Sequence, residues 1–319
     1  MSIIHSISDK PLSADYTLWG NCRPRKEKNV SLILLNRGAR IDKAALLSRR
    51  FFQHFDSVIS VEPPGSSPEI YDLMKGSDQF RFLIPQKELT PGEQIDLAAS
   101  LLTDEWFYVL WNDQILDKEM TLPSEAPEEN DPVIYVPFLK DMREQSPIPT
   151  MMVPSVLKRK LRVKAYGNAA SGGRTFYPFD FTGCYHRESF FAVGGYDNSF
   201  RNPFWQLIDF GARLLMFGKT VRLHPYFLVH YDTEIEPHRE CFDSDYLLFV
   251  LKNQFVQKKK DRFYIPYISF ISYFFRFAGR DWSRTVAECR QANRLLDRYR
   301  TLYRKTLSEG IAEWGEIGQ

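Results

Sequence analysis

Apolar and polar positions along the first third of this chain follow a strand–helix rhythm. Val30-Ser-Leu-Ile-Leu-Leu35 is a short apolar run suited to a buried parallel strand, and it stops at Asn36-Arg37-Gly38. Leu46, Leu47 and Phe51 recur at helical spacing and predict a helix over about 42–54. Ser57-Val-Ile-Ser-Val61 predicts a second strand, closed by the turn-forming Glu62-Pro-Pro-Gly-Ser-Ser67. A third strand is expected over Phe80–Ile84. Pro91-Gly-Glu93 then opens a helix to Leu102, with proline and an acid in the first turn. Trp106-Phe-Tyr-Val-Leu-Trp111 predicts a fourth strand, ending at Asn112-Asp113. This alternation predicts an α/β domain with a largely parallel sheet.

Further along, the acidic, proline-bearing segment 122–131 reads as a loop and Val133–Leu139 as a strand. The basic segment Lys158–Arg174 ends in Ser171-Gly-Gly-Arg174 and reads as a mobile loop near a site. A short amphipathic helix is expected before Gly218, with Asp209 and Arg213 four apart on one face. Two short strands, 220–223 and 226–229, lead to His230. From Glu234 the pattern turns helical, over 246–255, 267–277 and 282–307. The expected organisation is an extension over 1–28, an α/β domain over 29–232 and a helical region over 233–319.

Composition narrows this picture. The chain has 319 residues, 44% hydrophobic and 26% charged, which is ordinary for a globular protein. A net charge of +2 gives no global case for nucleic acid as a partner. Cys22, Cys184, Cys241 and Cys289 are widely spaced, without the pairing of a zinc site or a disulfide framework. The early sequence is charged and lacks a signal-peptide core, and no apolar run reaches the ~20 residues that span a bilayer. The expectation is a cytoplasmic protein.

Parallel α/β sheets bind ligands at the carboxyl ends of their strands. Four polar features fall at such ends: Asn36-Arg37, Glu62, Asp113 and His230. Each also has a plainer use, as a solvated loop carboxylate, a turn residue or a satisfied histidine. Gly194-Gly195 permits a tight turn before the helix of Trp205, Asp209 and Arg213. Arg159, Lys164 and Arg174 could close on phosphates or simply face water. The aromatic, uncharged stretch Tyr264–Phe275, followed by Arg276, Arg280 and Arg284, fits either packing against the main domain or a second subunit, or contact of the 264–284 region with anionic lipid.

The order Thr182-Gly183, Arg187-Glu188, Gly194-Gly195, Asp209, Arg213, Gly218 resembles the acceptor-side half of GT-A glycosyltransferases, especially family 2. The likeness extends from about Val30 to Asp232 and includes the helix–strand–Asp unit over 92–113. It implies a Rossmann-like, mostly parallel GT-A sheet with a helical C-terminal appendage, and transfer of a sugar from a nucleotide-sugar donor, a UDP-sugar for choice. The acceptor would be a hydroxyl of a glycan or glycolipid, in surface polysaccharide or glycolipid synthesis. By the same resemblance Asn36, Arg37, Glu62 and Asp113 would face the donor. Trp111, Arg174, Gly194, Gly195, Trp205 and Arg213 would line the substrate. Asp113 and His230 would hold Mn2+ or Mg2+. The sequence departs from the family at Trp111, where the first acid of the metal motif is expected. It departs again at Gln206-Leu207, where the family has the acidic pair that supplies the base. Three consequences stay open: Asp209 is the base, the reaction is retaining, or catalysis is lost and the domain serves as a scaffold or glycan-binding protein. A nucleotidyltransferase is a third, fainter reading, through Asn36-Arg37-Gly38-Ala39-Arg40.

Overall fold

A computed structural model describes residues 15–20, 27–37, 50–66, 79–116, 127, 132–142, 146–157, 160–167, 173–231, 243–276 and 282–317. Residues 42–49 of the helix predicted over 42–54 and most of the 122–131 loop lie outside them; Arg50–His54, the end of that helix, is a 3-10 turn. The main sheet runs β1 (Tyr16–Trp19), β4 (Phe80–Pro85), β3 (Ser57–Val61), β2 (Val30–Leu35), β5 (Trp106–Trp111), β12 (Gly183–His186), β7 (Ile134–Asp141), β13 (Val221–Tyr231), β11 (Arg174–Thr175), with β6 (Gln114–Leu116) paired to β13 and β8 (Pro147–Ile148) to β7. Strands β4, β3, β2 and β5 are mutually parallel, as the strand–helix rhythm predicts. Strand β12 enters antiparallel between β5 and β7, and β7 and β13 are again parallel. Part of the polar extension joins the fold: β1 pairs antiparallel with β4.

Both faces of the sheet are covered, which is why β2, β3 and β5 are continuous apolar runs. Ile33, Leu35, Phe107, Val109 and Trp111 face one core, under helix α1 (Pro91–Ser100) and the C-terminal helices. Leu32, Leu34, Trp106, Tyr108 and Leu110 face the other, with Phe52, Phe55 and Phe80. Each fully buried leucine or phenylalanine contributes about 1.5–3 kcal/mol. Helix α1 starts at a capping box: the Thr90 hydroxyl accepts from Glu93 N–H, and the Glu93 carboxylate accepts from Thr90 N–H at 2.9 Å.

After the six-residue helix α2 (Arg187–Ala192), helix α3 (Pro203–Met216) is capped by Asn202 and ends at Gly218, whose φ of +72° is the left-handed stop the sequence predicts. Four expectations change. Much of the supposed 158–174 loop is a hairpin of β9 (Met151–Leu157) and β10 (Lys160–Tyr166), because basic and apolar residues alternate there with a period of two. The two short strands before His230 are one strand, β13, bulged between Leu223 and Leu228. The helix expected over 246–255 is a short α4 (Ser244–Phe249) followed by a π-turn over Val250–Gln254, and a small hairpin, β14 (Gln257–Lys259) with β15 (Arg262–Tyr264), follows it. The helix expected over 282–307 ends at Tyr299 as α6 (Trp282–Tyr299), after α5 (Tyr267–Arg276), and a further helix, α7 (Leu307–Ile317), begins where the predicted range ends. Leu296, Tyr299, Tyr303, Leu307 and Ile311 of this region share one core with α1 and α3.

Candidate functional site

Strand register places the site. Leu35 lies level with Val61 and with Trp111, so the residues just beyond each strand, Asn36, Glu62 and Asn112, sit side by side at the carboxyl edge. Asn36 Nδ2 donates to Val61 O at 2.6 Å, to Ser60 Oγ at 3.1 Å and to Glu62 Oε1 at 3.3 Å. Its Oδ1 accepts from Asn112 Nδ2 at 3.0 Å, and Asn112 Oδ1 accepts from Arg37 N at 3.3 Å. Ser60 Oγ donates to Glu62 Oε1 at 2.7 Å, so this buried carboxylate is held in place.

Arg37 is the hub of the other half. Its Nε and Nη2 donate to the two oxygens of Asp113 at 3.0 and 3.1 Å, a bidentate fork. Its Nη1 donates to Asp180 Oδ2 at 2.7 Å. The guanidinium carbon lies 4.4 Å from the Trp111 ring centroid and 5.6 Å from that of Tyr231. Burial alone pulls the Arg37 pKa down, but the charges of Asp180 and Asp113 outweigh it and the net direction is up. The side chain keeps 29% of its surface exposed, so this hub touches solvent.

Asp180 and Tyr231 are the residues that sequence reasoning missed. Tyr231 Oη donates to Asp180 Oδ2 at 3.0 Å. Asp180 and Phe181 both have left-handed backbone, φ 51° and 61°, which costs a non-glycine residue free energy and recurs at functional sites. Trp111 Nε1 donates to Asp180 O at 2.7 Å and Tyr185 Oη to Phe181 O at 2.7 Å, which hold the bend. No glycine marks this bend, so the sequence carries no signal for it.

A divalent cation needs several oxygen or nitrogen donors around one point. Both oxygens of Asp113 already face Arg37, and Trp111 offers no oxygen ligand. His230 is the neighbour of Tyr231 in regular register against Ile115 and Gln114, so the two side chains leave opposite faces of β13. Tyr231, not His230, faces the Arg37 hub. Among the described residues no group of three His, Cys, Asp or Glu is placed to hold a metal ion. The residues present in this arrangement do not fit the cation.

The acceptor-side candidates gather elsewhere, in the core around α3. Asp209 is 1% exposed; its oxygens accept from Arg213 Nε and Asn253 Nδ2, each at 2.8 Å. Arg213 Nη1 donates to Val193 O at 2.6 Å. Burial raises the Asp209 pKa and Arg213 opposes it; the net direction is up. Gln206 Nε2 donates to Thr90 Oγ1 at 2.7 Å, and Leu207 lies in the apolar core. Trp205 is buried against Tyr246 and Phe249. Gly195 (φ +64°) packs on Asp96, whose Oδ1 would lie 2.5 Å from an added Cβ, and Tyr196 N donates to that oxygen at 2.9 Å. Gly194 (φ +87°) completes the same buried turn. Arg174 pairs with Arg222 in β11–β13 and lies over Trp314 at 4.5 Å. Arg222 is level with Tyr135 of β7 and Tyr231 with Asp141, six residues further, so Arg174 stands about 20 Å from the hub.

No family model matches the chain, and no curated protein matches it. A solved structure of GalNAc-T7 with UDP, GalNAc and Mn2+ is similar, with a TM-score of 0.51 at 9% identity. The match covers 72% of this chain and 48% of that one, so the chain spans about half the length of that neighbour. A structure of S. aureus TarS 1–349 with UDP-GlcNAc aligns over 91% of this chain and 92% of that chain at 12% identity, with a TM-score of 0.48. With its parallel β4-β3-β2-β5 half and the antiparallel β12, the chain has the GT-A glycosyltransferase fold.

Proposed function

We propose that this protein is a glycosyltransferase that binds a nucleotide-sugar, a UDP-sugar by preference, at the carboxyl edge of β2, β3 and β5. The observation that carries the reading is convergence: Asn36, Arg37, Glu62 and Asp113, separated in sequence, join Asp180 and Tyr231 in one network at the ligand edge of an α/β sheet. UDP is the nucleotide bound in the GalNAc-T7 structure. Glu62 presents a carboxylate to ribose or base, and Arg37 is the cation nearest the place of the diphosphate. In transfer, the acceptor oxygen bonds the anomeric carbon, the bond from that carbon to the phosphate oxygen breaks, the electron pair leaves on the nucleoside diphosphate, and the acceptor hydroxyl's proton passes to solvent water. Asp209 positions α3 through Arg213 and Asn253 and does not serve as the base, since a base must reach the acceptor hydroxyl. The acceptor is a glycan or glycolipid hydroxyl.

Titration calorimetry with UDP-, GDP- and dTDP-sugars, in EDTA and with Mn2+, tests this. The expected result is saturable binding of one donor class, unmoved by EDTA because Arg37 already fills the place between the carboxylates. Loss of binding in EDTA would restore the metal; no binding of any donor would end the reading. A second reading, a binding domain without turnover, is favoured by Gln206 and Leu207, which have become core contacts. Slow donor hydrolysis by the pure protein decides between them.

A further inference from the structure

We infer that α5 and the hairpin before it form a docking surface for an anionic lipid bilayer. Helix α5, YISFISYFFR, has no acidic residue and a single basic one at its end. One face is buried through Ser269 and Tyr273. The other presents Tyr267, Ile268 and Phe275, which are 79%, 66% and 74% exposed, at spacings that share a helix face. Trp282, at the start of α6, is exposed as well, its ring 3.9 Å from that of Phe274. Two residues before α5, strand β15 exposes Tyr264 and Arg262, and the end of β14 and the turn after it expose Lys259 and Lys260. Large apolar side chains scattered singly need no explanation; a contiguous aromatic face beside a basic turn does.

Charge selects the occupant. Residues 256–300 hold eleven Lys or Arg against four Asp or Glu, a net +7, in a chain whose total is +2. The remainder of the sequence is therefore net −5; in the structure the exposed hairpin that leads into α5 sets Lys258, Lys259, Lys260 and Arg262 against Asp261, so positive charge adjoins the exposed apolar side chains. A second copy of this chain would meet that face with like charge. A bilayer with anionic headgroups meets both halves, taking aromatic rings at its boundary and attracting lysines at about 1 kcal/mol each. Among the described residues no helix is long and apolar enough to cross a membrane, so the contact is with the surface. This inference goes beyond the donor site and does not depend on it.

The test is sedimentation of the full chain with vesicles of phosphatidylcholine alone and with about one third phosphatidylglycerol, the usual order of anionic content for such an assay. The expected result is binding to the anionic vesicles alone, weakened by high salt. Lys259→Gln and Lys260→Asn should each weaken it by about fivefold, the equivalent of ~1 kcal/mol. Tyr267→Ser with Ile268→Ser and Phe275→Ser should abolish it with an unchanged melting temperature, since these side chains face solvent. No binding to anionic vesicles, or equal binding to neutral ones, overturns the proposal. So does a dimer in sedimentation velocity that the triple serine variant dissolves, which would make the face an interface between copies. Donor binding, read separately, should be the same in all these variants.

Discussion

At the residue scale, this molecule spends its buried charges on geometry. Asp209 and Arg213 lie four apart on one helix turn, which in water stabilises by only about 0.3–0.5 kcal/mol. Here both are buried, and removing one partner strands the other. Asp209→Asn should therefore cost about 3–5 kcal/mol in urea unfolding, while Asp209→Leu with Arg213→Met should cost much less than the two single changes together. Asp96 behaves differently. Burial is its largest influence and raises its pKa well above the ordinary value, so above the unfolded carboxyl value the folded state keeps the proton more readily than the unfolded state does. The sign follows: the folded state binds more protons, so stability falls as pH rises past the unfolded carboxyl value of about 4. Asp96→Asn keeps the oxygen that accepts from Tyr196 and removes the charge. It should raise the melting temperature at pH 7 and leave it unchanged near pH 3, by calorimetry.

At the scale of elements, two contacts set where α1 and α3 lie. Thr90 caps α1 and also accepts from Gln206 of α3. Thr90→Ala should cost about 1–2 kcal/mol, for a lost cap and an orphaned amide donor. Gly211 of α3 would carry a Cβ 2.5 Å from the backbone oxygen of Phe176. Alanine normally stabilises a helix interior relative to glycine by about 1 kcal/mol. The approach of another backbone reverses the sign, and Gly211→Ala should destabilise by about 1–3 kcal/mol in thermal unfolding. Helix α3 is thus held at its first turn and its middle, and the Gln206-Leu207 departure from the family pattern reads as packing: both side chains complete the junction with α1 and the core.

At the scale of the molecule, the helical C-terminal region is part of the main core. Gly310 packs against Leu215, Phe217 meets Tyr299 and Tyr303, and Trp314 lies over Arg174. Arg174 thereby fastens the appendage to the sheet, far from the strand-end hub. Deleting 282–319 would uncover Leu215, Met216 and Phe217 at once. The shortened chain should lose its cooperative thermal transition and bind a hydrophobic dye, both read by optical melting.

Local pattern alone determined the parallel half of this protein. A buried parallel strand must be apolar on both faces, so β2, β3 and β5 announce themselves, and the polar residues that end them mark the carboxyl edge of the sheet. Helix α1, the stop at Gly218 and the candidates Asn36, Arg37, Glu62 and Asp113 were legible for that reason. What lies across the sheet was not. Asp180 is more than sixty residues from Asp113, in a bend without glycine, and only the insertion of β12 beside β5 brings it to Arg37. Strand alternation then decides between His230 and Tyr231, one residue apart and facing opposite ways. The burial of Asp209, Arg213 and Trp205 is likewise a property of the packed molecule. Solvent access depends on what covers a residue, and for α3 the cover comes from helices whose positions the chain reaches only when folded.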